Sequence, residues 1–155
     1  MRTGFTPFVL ALAMALTAVA AGADPVVGTW QLNVSKSEFT SGPSIKSQTR
    51  TYSQSGQSIK LVLKAVSADG KASTTRTTYQ FDGKDHPVTG NPDYDSLTAK
   101  QVDANTAEFV LKKGGKAVGR TERTVSQDGK TLTAKTTLTA ANGQKTESVL
   151  VFDRQ

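Results

Sequence analysis

From Asp24 to the C-terminus the chain alternates polar and apolar residues with a period of two, and no stretch keeps a helical period. Thr and Val fill many of these positions, as a half-buried pleated surface favours. Turn signals break the alternation at Ser55-Gly56, Asp69-Gly70, Asp82-Gly83, Asn105, Gly114-Gly115, Asp128-Gly129 and Asn142-Gly143. Each lies between two alternating runs and predicts a hairpin. The expected strands are 26–34, 45–54, 57–67, 71–81, 96–102, 106–113, 116–126, 130–140 and 144–153. About nine long strands in a meander predict an all-β fold, an antiparallel up-and-down β-barrel whose closure removes both sheet edges. A β-sandwich is the alternative.

Turn length fixes register, and a slip of one residue exchanges the two faces of a strand. A three-residue loop at Ala68-Asp69-Gly70, ending on a left-handed glycine, puts Ile59, Leu61 and Leu63 on the face of Tyr79 and Phe81. The same loop at Ala141-Asn142-Gly143 aligns Leu132 and Leu138 with Leu150 and Phe152. A two-residue Gly114-Gly115 turn aligns Phe109 and Leu111 with Val118. Carried along the strand, this register places Arg120 and Glu122 inside as an ion pair. Thr49, Thr51, Thr75, Thr77, Gln101, Thr124, Thr136 and Ser148 fall on the same inner face. A packed core rarely holds so many short polar groups, since each needs a partner or water. The pattern therefore predicts a partly wet cavity, with Arg120, Glu122, Tyr79, Phe109, Thr77 and Thr136 as ligand-binding residues. The alternative is a purely structural ion pair, or an outward position for both residues if one bulge is misplaced.

The N-terminus differs from the rest. Arg2 precedes an apolar run from Phe8 to Leu16, and small residues crowd from Ala18 to Ala23. This is the pattern of a cleavable signal peptide over residues 1–23, cut after Ala20 or, preferably, before Asp24. The run is shorter than the roughly 20 apolar residues of a membrane span. Residues 24–155 then form a single domain. The chain has no cysteine, so neither a disulfide nor a lipid anchor is available. These features predict a periplasmic or secreted soluble protein, monomeric and without integral membrane association. The formal charge is +6, of which Arg2 contributes one, leaving +5 from Asp24 onward. A basic balance suits an anionic partner or simple solubility. No cluster of basic and aromatic residues points to nucleic acid.

Candidate chemistry is sparse. His86 is the one histidine, in Lys84-Asp85-His86-Pro87, and nothing nominates a partner for acid–base work. One imidazole with scattered carboxylates does not make a zinc site. Asn91-Pro92-Asp93-Tyr94-Asp95 offers oxygen ligands for calcium, but Asn-Pro-Asp forms a turn by itself. No serine has an evident base, and no glycine loop precedes a helix. No catalytic residue, metal or cofactor is expected, and the chain does not read as an enzyme. Aromatic content of 6%, with Lys60, Lys64, Arg76, Lys112 and Lys135 facing outward, excludes a lipid-facing barrel.

The segment Val26-Val27-Gly28-Thr29-Trp30-Gln31-Leu32 resembles the Gly-x-Trp start of the calycins, the lipocalins and fatty-acid-binding proteins. The resemblance implies a structural plug of Gly28, Trp30 and a capping arginine. Arg154 has the right parity for that role, and Arg123 is the alternative. The strings from Leu32 to Phe39, Gly42-Pro43, Asp82-Gly83-Lys84 and Pro87 to Asp93 are similar to a group of small exported bacterial lipocalin-like proteins. That similarity implies a barrel and no particular activity. Lipocalins carry a helix after the barrel, whereas the last strand expected here, 144–153, runs almost to residue 155. Fatty-acid-binding proteins insert two lid helices where the 35–44 link allows one or two turns at about 1.5 Å per residue. The function expected is binding of a small amphipathic or anionic molecule inside the barrel. The alternative is an envelope interaction protein with a filled barrel, using its basic surface or the 82–95 loop.

Overall fold

The computed structural model describes residues 22–40 and 45–155, so the expected leader lies outside the described residues except for Gly22 and Ala23. The strands are β1 (Gly28–Leu32), β2 (Glu38–Phe39), β3 (Ile45–Ser55), β4 (Ser58–Ser67), β5 (Ala72–Tyr79) and β6 (His86–Thr89). They continue as β7 (Ser96–Gln101), β8 (Thr106–Lys113), β9 (Lys116–Val125), β10 (Thr131–Thr139) and β11 (Lys145–Arg154). A 3-10 turn at Val34–Lys36 divides β1 from β2, with Asn33 capping it through a side chain that accepts from the Lys36 N–H.

From β3 to β11 every strand pairs with the next in antiparallel fashion. β1 closes the ring, pairing with β3 on one side and β11 on the other. The result is a closed ten-stranded up-and-down barrel, with β2 as a two-residue addition along β11. The fold class is the one the turn spacing predicts, and the sandwich alternative falls. The strand count of nine is corrected by β6, which lies in a stretch read as loop. β6 has four residues and two register pairs with each neighbour. It contains Pro87, which donates no ladder hydrogen bond, so its alternation is too short to recognise.

Two of the three registers are those the turns imply. Ile59 pairs with Tyr79, and Leu132 pairs with Phe152. The third is corrected. Lys113 pairs with Lys116 across the glycine turn, yet Leu111 pairs with Gly119, so the ladder shifts by one residue around Val118. Gly119 makes the shift possible. A Cβ there would stand 2.4 Å from the Thr137 carbonyl oxygen of the next strand. The bulge sits immediately before this close approach, and beyond it the faces of β9 are exchanged.

Turns alternate between the two ends of the barrel, and the ends differ. One end is filled by Trp30, Ile59, Val125, Leu132 and Phe152, none more than 2% exposed. The N-terminal segment seals it: the Trp30 indole N–H donates to the Val26 carbonyl at 2.8 Å. The other end carries the β4–β5, β6–β7 and β10–β11 connections, and there the interior is hollow.

Candidate ligand-binding site

A cavity of about 470 Å³ opens at that second end. Its apolar wall is built from alternating residues of β4 and β8, among them Leu61, Leu63, Phe109 and Leu111. Tyr79 and Phe109 meet edge to face across the interior, with centroids 5.2 Å apart and planes at 88°. Tyr94, in the β6–β7 connection, packs onto the core at the cavity mouth. Thr121, paired with Phe109, and Thr136 beside it continue the wall onto β9 and β10, their hydroxyls 2.9 Å apart.

Two arginines enter this interior, and neither is Arg120. The bulge in β9 leaves Arg120 and Glu122 exposed on the outer wall, which corrects the expected internal ion pair. Arg123 takes the inner position, 3% exposed. Its Nη1 donates to the Tyr79 hydroxyl at 2.6 Å, and its Nη2 lies 3.7 Å from the Asp24 carboxylate. The rings of Phe109 and Tyr52 flank it at 5.3 and 5.5 Å. Its Nε is buried with no hydrogen-bond partner. Burial opposes the Arg123 charge, but Tyr79, Tyr52 and Asp24 outweigh it and hold the pKa above the usual arginine value. Burial likewise pushes the Tyr79 phenol well above its ordinary range, against the pull of Arg123.

Arg50 is the second interior cation. It stacks 4.5 Å from the centre of the Phe152 ring, and its Nε donates to Gln48 Oε1 at 2.7 Å. Among the described residues no carboxylate stands within ion-pair distance of it. Burial raises the Tyr94 phenol while the nearby Arg50 charge lowers it, with a net upward shift. Sequence reasoning missed Arg50 because it assigned Thr49 and Thr51 to the inner face. Those two face outward, since Arg50 pairs with Leu63 and Tyr52 with Leu61. The Gly56-Gln57 turn and the aromatic ring at position 52 carry that signal.

The remaining expected residues divide. Tyr79, Phe109, Thr136, Thr75 and Ser148 line the cavity. Thr77 is buried but donates to the Pro87 carbonyl at 3.0 Å, tying β5 to β6. Thr124 shares the outer face of β9 with Arg120, and Gln101 is exposed at the end of β7. At the closed end Arg154 lies 4.2 Å over the Trp30 ring and donates to the carbonyls of Val27 at 2.8 Å and Pro25 at 2.6 Å. Gly28, at φ +138°, leaves room for it. His86 contacts the Asp82 carboxylate at 2.8 Å and is not part of the cavity wall. Among the described residues no group of three or more His, Asp and Glu side chains is placed to hold a metal ion, and no helix is long and apolar enough to cross a membrane.

Solved structures resemble this barrel at low sequence identity. EF1p2_mFAP2b bound to DFHBI aligns with a TM-score of 0.52 at 11% identity, covering 84% of this chain and 94% of that one. The zebrafish ileal bile acid-binding protein complexed with cholic acid aligns at a TM-score of 0.49 and 10% identity, covering 84% and 99%. A de novo designed fluorescence-activating β-barrel aligns at 0.46 and 16% identity, covering 86% and 100%. Likeness at such identities is a likeness of fold, and the first of the three carries it. No family model and no curated protein matches the chain.

Proposed function

We propose that this is an exported, soluble, monomeric barrel that binds a small amphipathic anion in its interior, rather than an enzyme. The observation that carries the reading is an inward-facing Arg50, without a carboxylate partner among the described residues, in a cavity of about 470 Å³. An apolar body packs against Leu61, Leu63 and Leu111, each buried CH₂ contributing roughly 0.8 kcal/mol. The anionic group pairs with the Arg50 fork in charge-assisted hydrogen bonds. A few placed polar groups in an otherwise apolar cleft are what ligand recognition needs. The hollow interior favours this reading over a filled barrel that works through its surface.

Export rests on the leader pattern at residues 1–23. Native mass spectrometry of the protein isolated from its own source tests the function. The expected result is a bound small molecule of negative charge, lost from Arg50→Gln and retained by Arg120→Gln. A ligand-free spectrum of the unsubstituted protein, or retention by Arg50→Gln, contradicts it.

A further inference from the structure

Arg123 and Tyr79 line the cavity, and behind Arg123 lies Asp24 of the chain's own N-terminal segment. Asp24 is fixed there by three contacts. Its N–H donates to Gln54 Oε1 at 2.8 Å, its Oδ1 accepts from the Val26 N–H at 2.9 Å, and its carbonyl accepts from the Val27 N–H at 3.0 Å. The Asp24 carboxylate is 9% exposed and faces the Arg123 guanidinium, 4% exposed, at 3.7 Å. A buried ion pair of this kind is costly to break, because removing one partner leaves an uncompensated charge. The rim residues Lys71, Asp93 and Glu147 are exposed, so solvent screens them.

We propose that Asp24 sets the charge selectivity of the cavity: by neutralising Arg123 it leaves Arg50 as the inward-facing cation available to a ligand, so the site takes a single oxyanion and rejects a second. The inference rests on the binding function proposed above and names its ligand class, a monoanion with an apolar body. A dianion of equal length would carry its second charge toward an Arg123 already paired with Asp24, so the cost of desolvating that charge is not offset.

Octanoate and octanedioate are matched probes for this. Titration calorimetry on the unsubstituted protein should give about tenfold or greater preference for octanoate. Asp24→Asn keeps an oxygen acceptor for the Val26 N–H and removes the charge. It should bind octanedioate more tightly and cut the preference to about threefold or less. The double variant Asp24→Asn with Arg123→Met removes both charges and should keep the original preference, which also covers the case where the single variant does not fold. An unchanged preference in Asp24→Asn, equal affinity for both probes in the unsubstituted protein, or loss of preference in the double variant overturns the inference while leaving ligand binding intact. Failure of octanoate to bind the unsubstituted protein overturns the cavity reading itself, and this inference with it.

Discussion

The Arg154 guanidinium lies 4.2 Å from the centroid of the Trp30 ring while its nitrogens reach carbonyls of Pro25, Val27 and Gly129. One side chain thus ties the last strand to the N-terminal segment and to the β9–β10 turn. Arg154→Ala should cost roughly 2–4 kcal/mol, the combined scale of a shielded cation–π contact and several charged hydrogen bonds. Urea unfolding followed through the fluorescence of Trp30, the one tryptophan, measures it. Arg154→Lys should recover little, because an ammonium cannot reach several carbonyls as a planar fork does.

Gly28 stands in the way of any larger residue at the same plug. A Cβ there would meet Arg154 Nη1 at 2.5 Å, on a backbone at φ +138°. Gly28→Ala should destabilise the barrel by roughly 1–3 kcal/mol. An unchanged unfolding midpoint would show that the plug is looser than its geometry implies.

Contacts on the outer and inner faces of β9 should differ in size. Arg120→Ala and Glu122→Ala, on the exposed wall, should change stability by no more than about 0.5 kcal/mol. Tyr79→Phe removes the acceptor for Arg123 Nη1 and should cost roughly 1–3 kcal/mol. Reversed magnitudes in denaturant unfolding would contradict the register of β8 and β9.

Alkaline pH should weaken the fold. The Tyr79 and Tyr94 phenols are raised above the ordinary value of 10.0 by burial. A folded-state pKa above the unfolded one means that the unfolded chain loses the proton first. The stabilising contribution is therefore full below about pH 10 and falls as pH rises beyond it. An ultraviolet difference titration should show these two phenols ionising only above the normal tyrosine range, together with loss of the folded signal.

The barrel was legible in the sequence because its turns are written in glycine and asparagine, which fix both strand ends and register at Gly70 and Gly143. The site was less legible. A bulge adds one residue without a composition signal of its own, and Ala117-Val118-Gly119 reads equally well on either face. Gly119 inside a strand was the available hint, since such a glycine marks a bulge or a close approach. That single residue decides whether Arg120 or Arg123 enters the cavity. Asp24 was invisible as a site residue, because its partner Arg123 lies far along the chain and the pairing depends on barrel closure.

The central claim is a hollow barrel whose interior cation is Arg50. Anilinonaphthalene sulfonate, an apolar fluorophore with one negative charge, tests it most directly under native conditions. The unsubstituted protein and Arg120→Gln should both bind it at one site with saturable enhancement, and Arg50→Gln should lose about tenfold or more in affinity. Equal binding by all three, or no saturable binding by the unsubstituted protein, would contradict the account.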